Sequence, residues 1–137
     1  MARKRHTLDE ICSIAELDGR YHVEAFFLVL EGLEFAMRKL PARRHVTGAE
    51  LLDGIATFLL EEYGPLAYHV LTSWGVKETR DVGEIVFLMI KKGLLAKTDH
   101  DSIENFRDVF SFKEVLGRNF PVPDRIASPR LRDWPRK

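Results

Sequence analysis

The chain has 137 residues (15.8 kDa), 45% of them apolar and 31% charged, which describes one soluble domain long enough to bury a genuine core. Its single Cys12 excludes an intrachain disulfide and suits a reducing cytoplasm. The longest unbroken apolar runs, residues 25–30 and 85–90, are six residues each, where a membrane span needs about 18 or more.

The 21 basic and 21 acidic side chains cancel, but they are segregated. Residues 1–6 carry +3, residues 38–45 carry +4, residues 118–137 carry +4, and the remaining 103 sum to −11. Three basic segments on an acidic body can present one positive surface to phosphates or to an acidic partner, provided that they converge in space. The N-terminal cations could open a signal peptide, but acidic residues interrupt the apolar stretch that should follow, so secretion is not expected.

In chain order, Thr7-Leu8-Asp9-Glu10 matches a capping box and predicts a short first helix with Ile11, Ile14, Ala15 and Leu17 on its apolar stripe, ended by Asp18-Gly19. Residues 22–40 place apolar side chains at helical steps from Val23 to Leu40 and predict a long central helix. Gly32 in its middle costs about 1 kcal/mol against Ala and signals the close approach of a neighbouring backbone. Pro41 ends it.

Thr47-Gly48-Ala49-Glu50 is a second capping box, with Val46 and Leu51 placed as a hydrophobic staple. The helix it opens breaks at Tyr63-Gly64-Pro65, and a further helix runs from Pro65 to Trp74 with Gly75 just past its end. Thr79 is placed to cap another helix over residues 80–92, closed by two lysines and Gly93. Residues 94–98 read as extended and Asp99-His100-Asp101-Ser102 as a turn. Ser111-Phe112-Lys113-Glu114 is a third capping box, and its short helix ends near Gly117. The expected fold is all-α, or α with a small β-hairpin: five or six helices, with a helix-turn-helix order in the second half that would suit a winged helix. Residues 1–6 read as a basic arm, 7–120 as the helical domain and 121–137 as a Pro-rich, basic, flexible tail in which Trp134 needs somewhere to dock.

Chemistry-bearing patterns are incomplete. The histidines lack the i, i+4 spacing of a helical metal site, and Asp99, Asp101 and Glu104 lack the glycine and terminal glutamate of a calcium loop. Cys12 has no base identifiable nearby, and adjacent Glu61 and Glu62 diverge by about 100° on a helix. Phe106, Phe110, Phe112 and Phe120 read as core rather than as a base-stacking set. The helix after Thr79 offers Lys77, Glu78, Arg80, Asp81 and Glu84, too acidic a face for reading base edges.

The string His45-Val46-Thr47-Gly48-x-Glu50-Leu51, Glu62-Tyr63-Gly64-Pro65, Val70-Leu71 with Trp74-Gly75, Asp81-Val82-Gly83-Glu84-Ile85-Val86-Phe87 and Gly93-Leu94-Leu95-x-Lys97-Thr98 resembles a family of short uncharacterised bacterial proteins found mainly in planctomycetes and verrucomicrobia. Tyr21-His22 and Ala25-Phe26 fit its N-terminal part, so the likeness covers roughly residues 20–116. Val82 stands where that family would have an aromatic, and the tail after Phe120 extends past its usual end. The resemblance implies the helical fold and names no chemistry.

The reading that follows is a non-enzymatic cytoplasmic interaction module without cofactor or metal. It binds a protein partner or itself, or nucleic acid non-specifically, with Arg38, Lys39, Arg43, Arg44 and His45 as contacts to phosphate or to an acidic partner. The alternative is a small-ligand-binding protein or enzyme with a pocket walled by Tyr63, Tyr68, His69 and Trp74.

Overall fold

A computed structural model describes residues 1–3, 8–42 and 44–118. Among these, six α-helices and two short 3₁₀ turns make an all-α domain: α1 (Leu8–Asp18), α2 (Val23–Arg38), α3 (Gly48–Tyr63), α4 (Ala67–Ser73), α5 (Thr79–Lys91) and α6 (Phe112–Arg118). The tail expected over 121–137 and the Thr7 cap lie outside the described residues.

Helix α2 begins where His22 Nδ1 accepts from the Glu24 amide at 3.0 Å, a capping role the spacing alone does not reveal. It buries Phe26, Val29, Leu30 and Leu33, the face its periodicity predicts, and packs along α3, where Gly32 faces Ile55 and Gly54 faces Gly32. The close approach inferred at Gly32 is therefore real, and both helices contribute a glycine to it. The second capping box forms as read: Thr47 Oγ1 accepts from the Glu50 amide at 3.2 Å, and Glu50 Oε1 accepts from the Thr47 amide at 2.9 Å. Val46 and Leu51 are both buried, as a staple requires.

Pro65 opens a 3₁₀ turn, Gly64–Leu66, before α4. At the end of α4, the Gly75 amide donates to Thr72 O and the Val76 amide to Leu71 O, a Schellman pair that needs the positive φ of Gly75. The same pattern closes α5, with Gly93 donating to Ile90 O and Leu94 to Met89 O.

Three expectations are corrected. Leu17 is 80% exposed rather than part of the stripe of α1, whose buried residues are Ile11, Ile14 and Ala15. Thr79 does not cap α5: it is fully buried, and its hydroxyl accepts from the Val109 amide at 3.2 Å, while Asp81 Oδ2 takes the amides of Lys77 and Glu78 at 2.9 and 3.0 Å. The extended segment after Gly93 pairs at long range rather than in a local hairpin. Leu95–Ala96 (β2) lies antiparallel to Ala2–Arg3 (β1), in the register Ala2 with Ala96 and Arg3 with Leu95. The basic arm is thus part of the fold at its first three residues, and Met1 is buried among the core side chains. Phe106 and Phe112 are core as expected. Phe106 fills the space left by Gly83 and meets the Phe87 ring edge-on at 6.5 Å.

Candidate interaction surface

The end of α2 and the connection to α3 carry the basic residues singled out from the sequence. Arg38 and Lys39 are exposed, and both lie over the ring of Phe35, at 5.6 and 4.8 Å from its centroid. Phe35 is held in turn by an edge-on contact with Phe58 of α3, 6.5 Å between centroids. Cation–π contact steadies long side chains that would otherwise lose entropy on binding a partner, and it leaves their charges in water. Neither cation has an ion-pair partner among the described residues. Below them, two open clefts of about 400 and 290 Å³ flank Leu40 and Pro41, and Arg44 lines both.

Arg44 is differently placed. Its guanidinium grips both oxygens of Glu50, Nη1 to Oε1 at 2.9 Å and Nη2 to Oε2 at 2.6 Å, and Nη1 also donates to the His45 carbonyl at 3.0 Å. That fork, with the Thr47 amide, holds the Glu50 carboxyl down at about 2. A basic side chain and free amides at the start of α3 would form an anion site, and here the chain's own carboxylate fills it. His45 is exposed, and Arg43 lies outside the described residues.

The basic N-terminus meets this same connection. The Val46 amide donates to the Met1 carbonyl at 3.0 Å, and the Met1 ammonium donates to the Val46 carbonyl at 2.8 Å. The ammonium also pairs with Asp101 at 3.0 Å. Burial alone would raise the Asp101 carboxyl, but the Thr98 amide, 2.8 Å away, and the ammonium outweigh it and hold the group below its ordinary value. Asp101 is therefore committed to a turn and a terminus, and Glu104 pairs with Arg107 at 3.0 Å. No group of three or more His, Cys, Asp or Glu suited to a metal ion occurs among the described residues.

The four residues proposed as a pocket wall separate into two places. Tyr63 and Trp74 stack edge-on, 6.1 Å between centroids, and burial, with the charges of Glu24 and Glu62, raises the Tyr63 phenol. Tyr68 tilts against exposed His69 at 6.3 Å and lines an open groove with Lys77, Ser111 and Lys113. At the start of α5, Asp81 is engaged by Tyr21 Oη at 2.7 Å, while Glu84 lies near Arg80 and Arg20 at 3.6 and 3.7 Å. Asp81, Glu84, Arg80 and Arg20 are thus engaged with one another or with Tyr21.

No protein-family model, curated protein or solved structure matches the chain. No helix among the described residues is long and apolar enough to cross a membrane.

Proposed function

We propose that this chain is a non-enzymatic interaction module of the cytoplasm that binds an acidic partner protein through the surface formed by the N-terminal strand and the α2–α3 connection. The single observation that carries the reading is the reciprocal pair of hydrogen bonds between Met1 and Val46, which ties the start of the chain to the residue that follows the basic segment 38–45. Arg38 and Lys39 supply the available charge. Arg44 and His45 shape the surface beside them, with Arg44 anchored on Glu50.

The pattern of charge favours a protein over a nucleic acid. Glu50 and Asp53 line the same cleft as Lys39 and Arg44, so positive groups alternate with negative ones. A polyphosphate backbone rewards uniform positive charge, whereas a folded partner can match an alternating pattern. Nucleic acid bound non-specifically is the second occupant such a surface would take.

The test is capture from cell extract with the wild-type chain and with the double variant Arg38→Glu/Lys39→Glu. A partner that survives nuclease treatment, dissociates at high salt and is absent from the double variant supports the reading. Equal capture by both proteins would refute it, and loss on nuclease treatment would transfer the surface to nucleic acid.

A further inference from the structure

The smaller of the two clefts beside Leu40 and Pro41 holds about 290 Å³ and carries both signs of charge. The end of α2 and its C-cap give it Ala36 and Lys39, α3 gives Glu50, Asp53 and Gly54, and the connection gives Leu40, Pro41 and Arg44. Ala36 and Gly54 are buried and Leu40 is half-buried against the core, so the bottom of the cleft is apolar. Arg44 and Glu50 neutralise each other through their paired hydrogen bonds of 2.9 and 2.6 Å. Lys39 and Asp53 are exposed, and neither is in an ion pair among the described residues. The ring of Phe35 steadies Lys39, whose Nζ lies 4.8 Å from its centroid. The cleft therefore offers one cation from the α2 side, one carboxylate from the α3 side and an apolar bottom.

That combination selects its occupant. The volume falls at the lower limit of the ~300–1,000 Å³ that small-molecule sites span and suits a single side chain better than a whole ligand. A uniformly acidic segment would satisfy Lys39 but set a like charge against Asp53, and a wholly apolar one would desolvate both charges without a partner. An aliphatic side chain with a carboxylate on one flank and a cation on the other matches every group present. We propose that this cleft seats one aliphatic side chain of the partner protein, flanked in the partner by an acidic residue for Lys39 and a basic residue for Asp53. The inference rests on the acidic-partner reading of the same surface and narrows it to a partner segment of mixed charge around an aliphatic anchor.

The test uses the full chain with ¹³C-labelled alanine and leucine methyl groups, titrated at low salt with two blocked peptides: Glu-Glu-Lys-Glu-Leu-Lys-Glu-Glu-Lys, and the same sequence with Ser in place of Leu. The Leu peptide should bind roughly tenfold more tightly, shift the methyl signals of Ala36 and Leu40, and show nuclear Overhauser contacts to them. Asp53→Lys, a change at an exposed position whose fold is checked by circular dichroism, should weaken the Leu peptide several-fold and instead favour the peptide with Glu after the leucine. Equal binding of the Leu and Ser peptides, unmoved Ala36 and Leu40 methyls, or an Asp53→Lys protein with unchanged preference would each overturn the proposal. Should equal binding of the two peptides still be abolished by Arg38→Glu/Lys39→Glu, the proposed function survives that loss. Binding of neither peptide also overturns the proposal and leaves the proposed function to the capture experiment.

Discussion

A Cβ placed on Gly54 would lie 2.7 Å from the carbonyl oxygen of Gly32, closer than such atoms ever sit. The two glycines let the backbones of α2 and α3 meet without an intervening side chain. Gly54→Ala must push backbone against backbone, with an expected loss of about 1–3 kcal/mol. Gly117→Ala, in α6 with open space where the Cβ would go, is the control. It should be neutral or stabilising by up to about 1 kcal/mol, and urea unfolding of both variants decides.

The Thr47–Glu50–Arg44 arrangement predicts a graded series. Thr47→Ala should cost about 0.5–2 kcal/mol through the lost cap. Glu50→Gln keeps an acceptor but releases Arg44, and should both destabilise the fold and flatten its acid dependence. The sign follows from the depressed carboxyl: its contribution is complete above the unfolded value, about 4.3, and disappears as pH falls toward the folded value of about 2. Thermal denaturation across that window should show the wild type losing stability more steeply than Glu50→Gln.

Tyr21 reaches from the α1–α2 loop to Asp81 at 2.7 Å, and burial, then this hydrogen bond, push its phenol above the ordinary value of 10.0. The fold favours the neutral phenol, so the stabilisation is fully present below that value and is lost as pH rises through the raised one. Tyr21→Phe should cost about 1–2 kcal/mol. Ultraviolet titration should show two of the three tyrosines ionising late, Tyr63 and, last of all, Tyr21, and only the last phase should vanish in the variant.

Asp101→Asn leaves the buried Met1 ammonium with the Val46 carbonyl but without its counter-charge. The expected loss is about 1–3 kcal/mol. Amide hydrogen exchange should quicken at Ala2, Leu95 and Ala96 before it does along α2.

What was legible in the sequence was what acts locally. The α3 capping box joins residues three apart, Gly75 and Gly93 terminate helices by their own φ, and Gly32 stood out because nothing local explains a glycine there. The misses come from distant partners. Leu95–Ala96 finds its strand at Ala2–Arg3, and Thr79 turns inward because Val109 offers an amide. Leu17 lies at the margin of a narrow stripe, where periodicity cannot say which edge is wet. At the basic surface, sequence singled out the α2–α3 connection but could not show that Arg44 would close on Glu50, leaving Arg38 and Lys39 as available cations among the described residues there.

In the proposed function, the N-terminal strand and the α2–α3 connection act as one surface for an acidic partner. A titration of the ¹⁵N-labelled chain at low salt with an acidic peptide of repeated Glu-Glu-Lys, followed amide by amide, tests this, with polyglutamate as the uniformly charged comparison. Shifts from the mixed-charge peptide should concentrate at Ala2, Arg38, Lys39, Arg44 and His45, be reversed by added salt, and leave Lys77 and Arg80 unmoved. Shifts centred on the start of α5, or none that depend on Arg38 and Lys39, would contradict it.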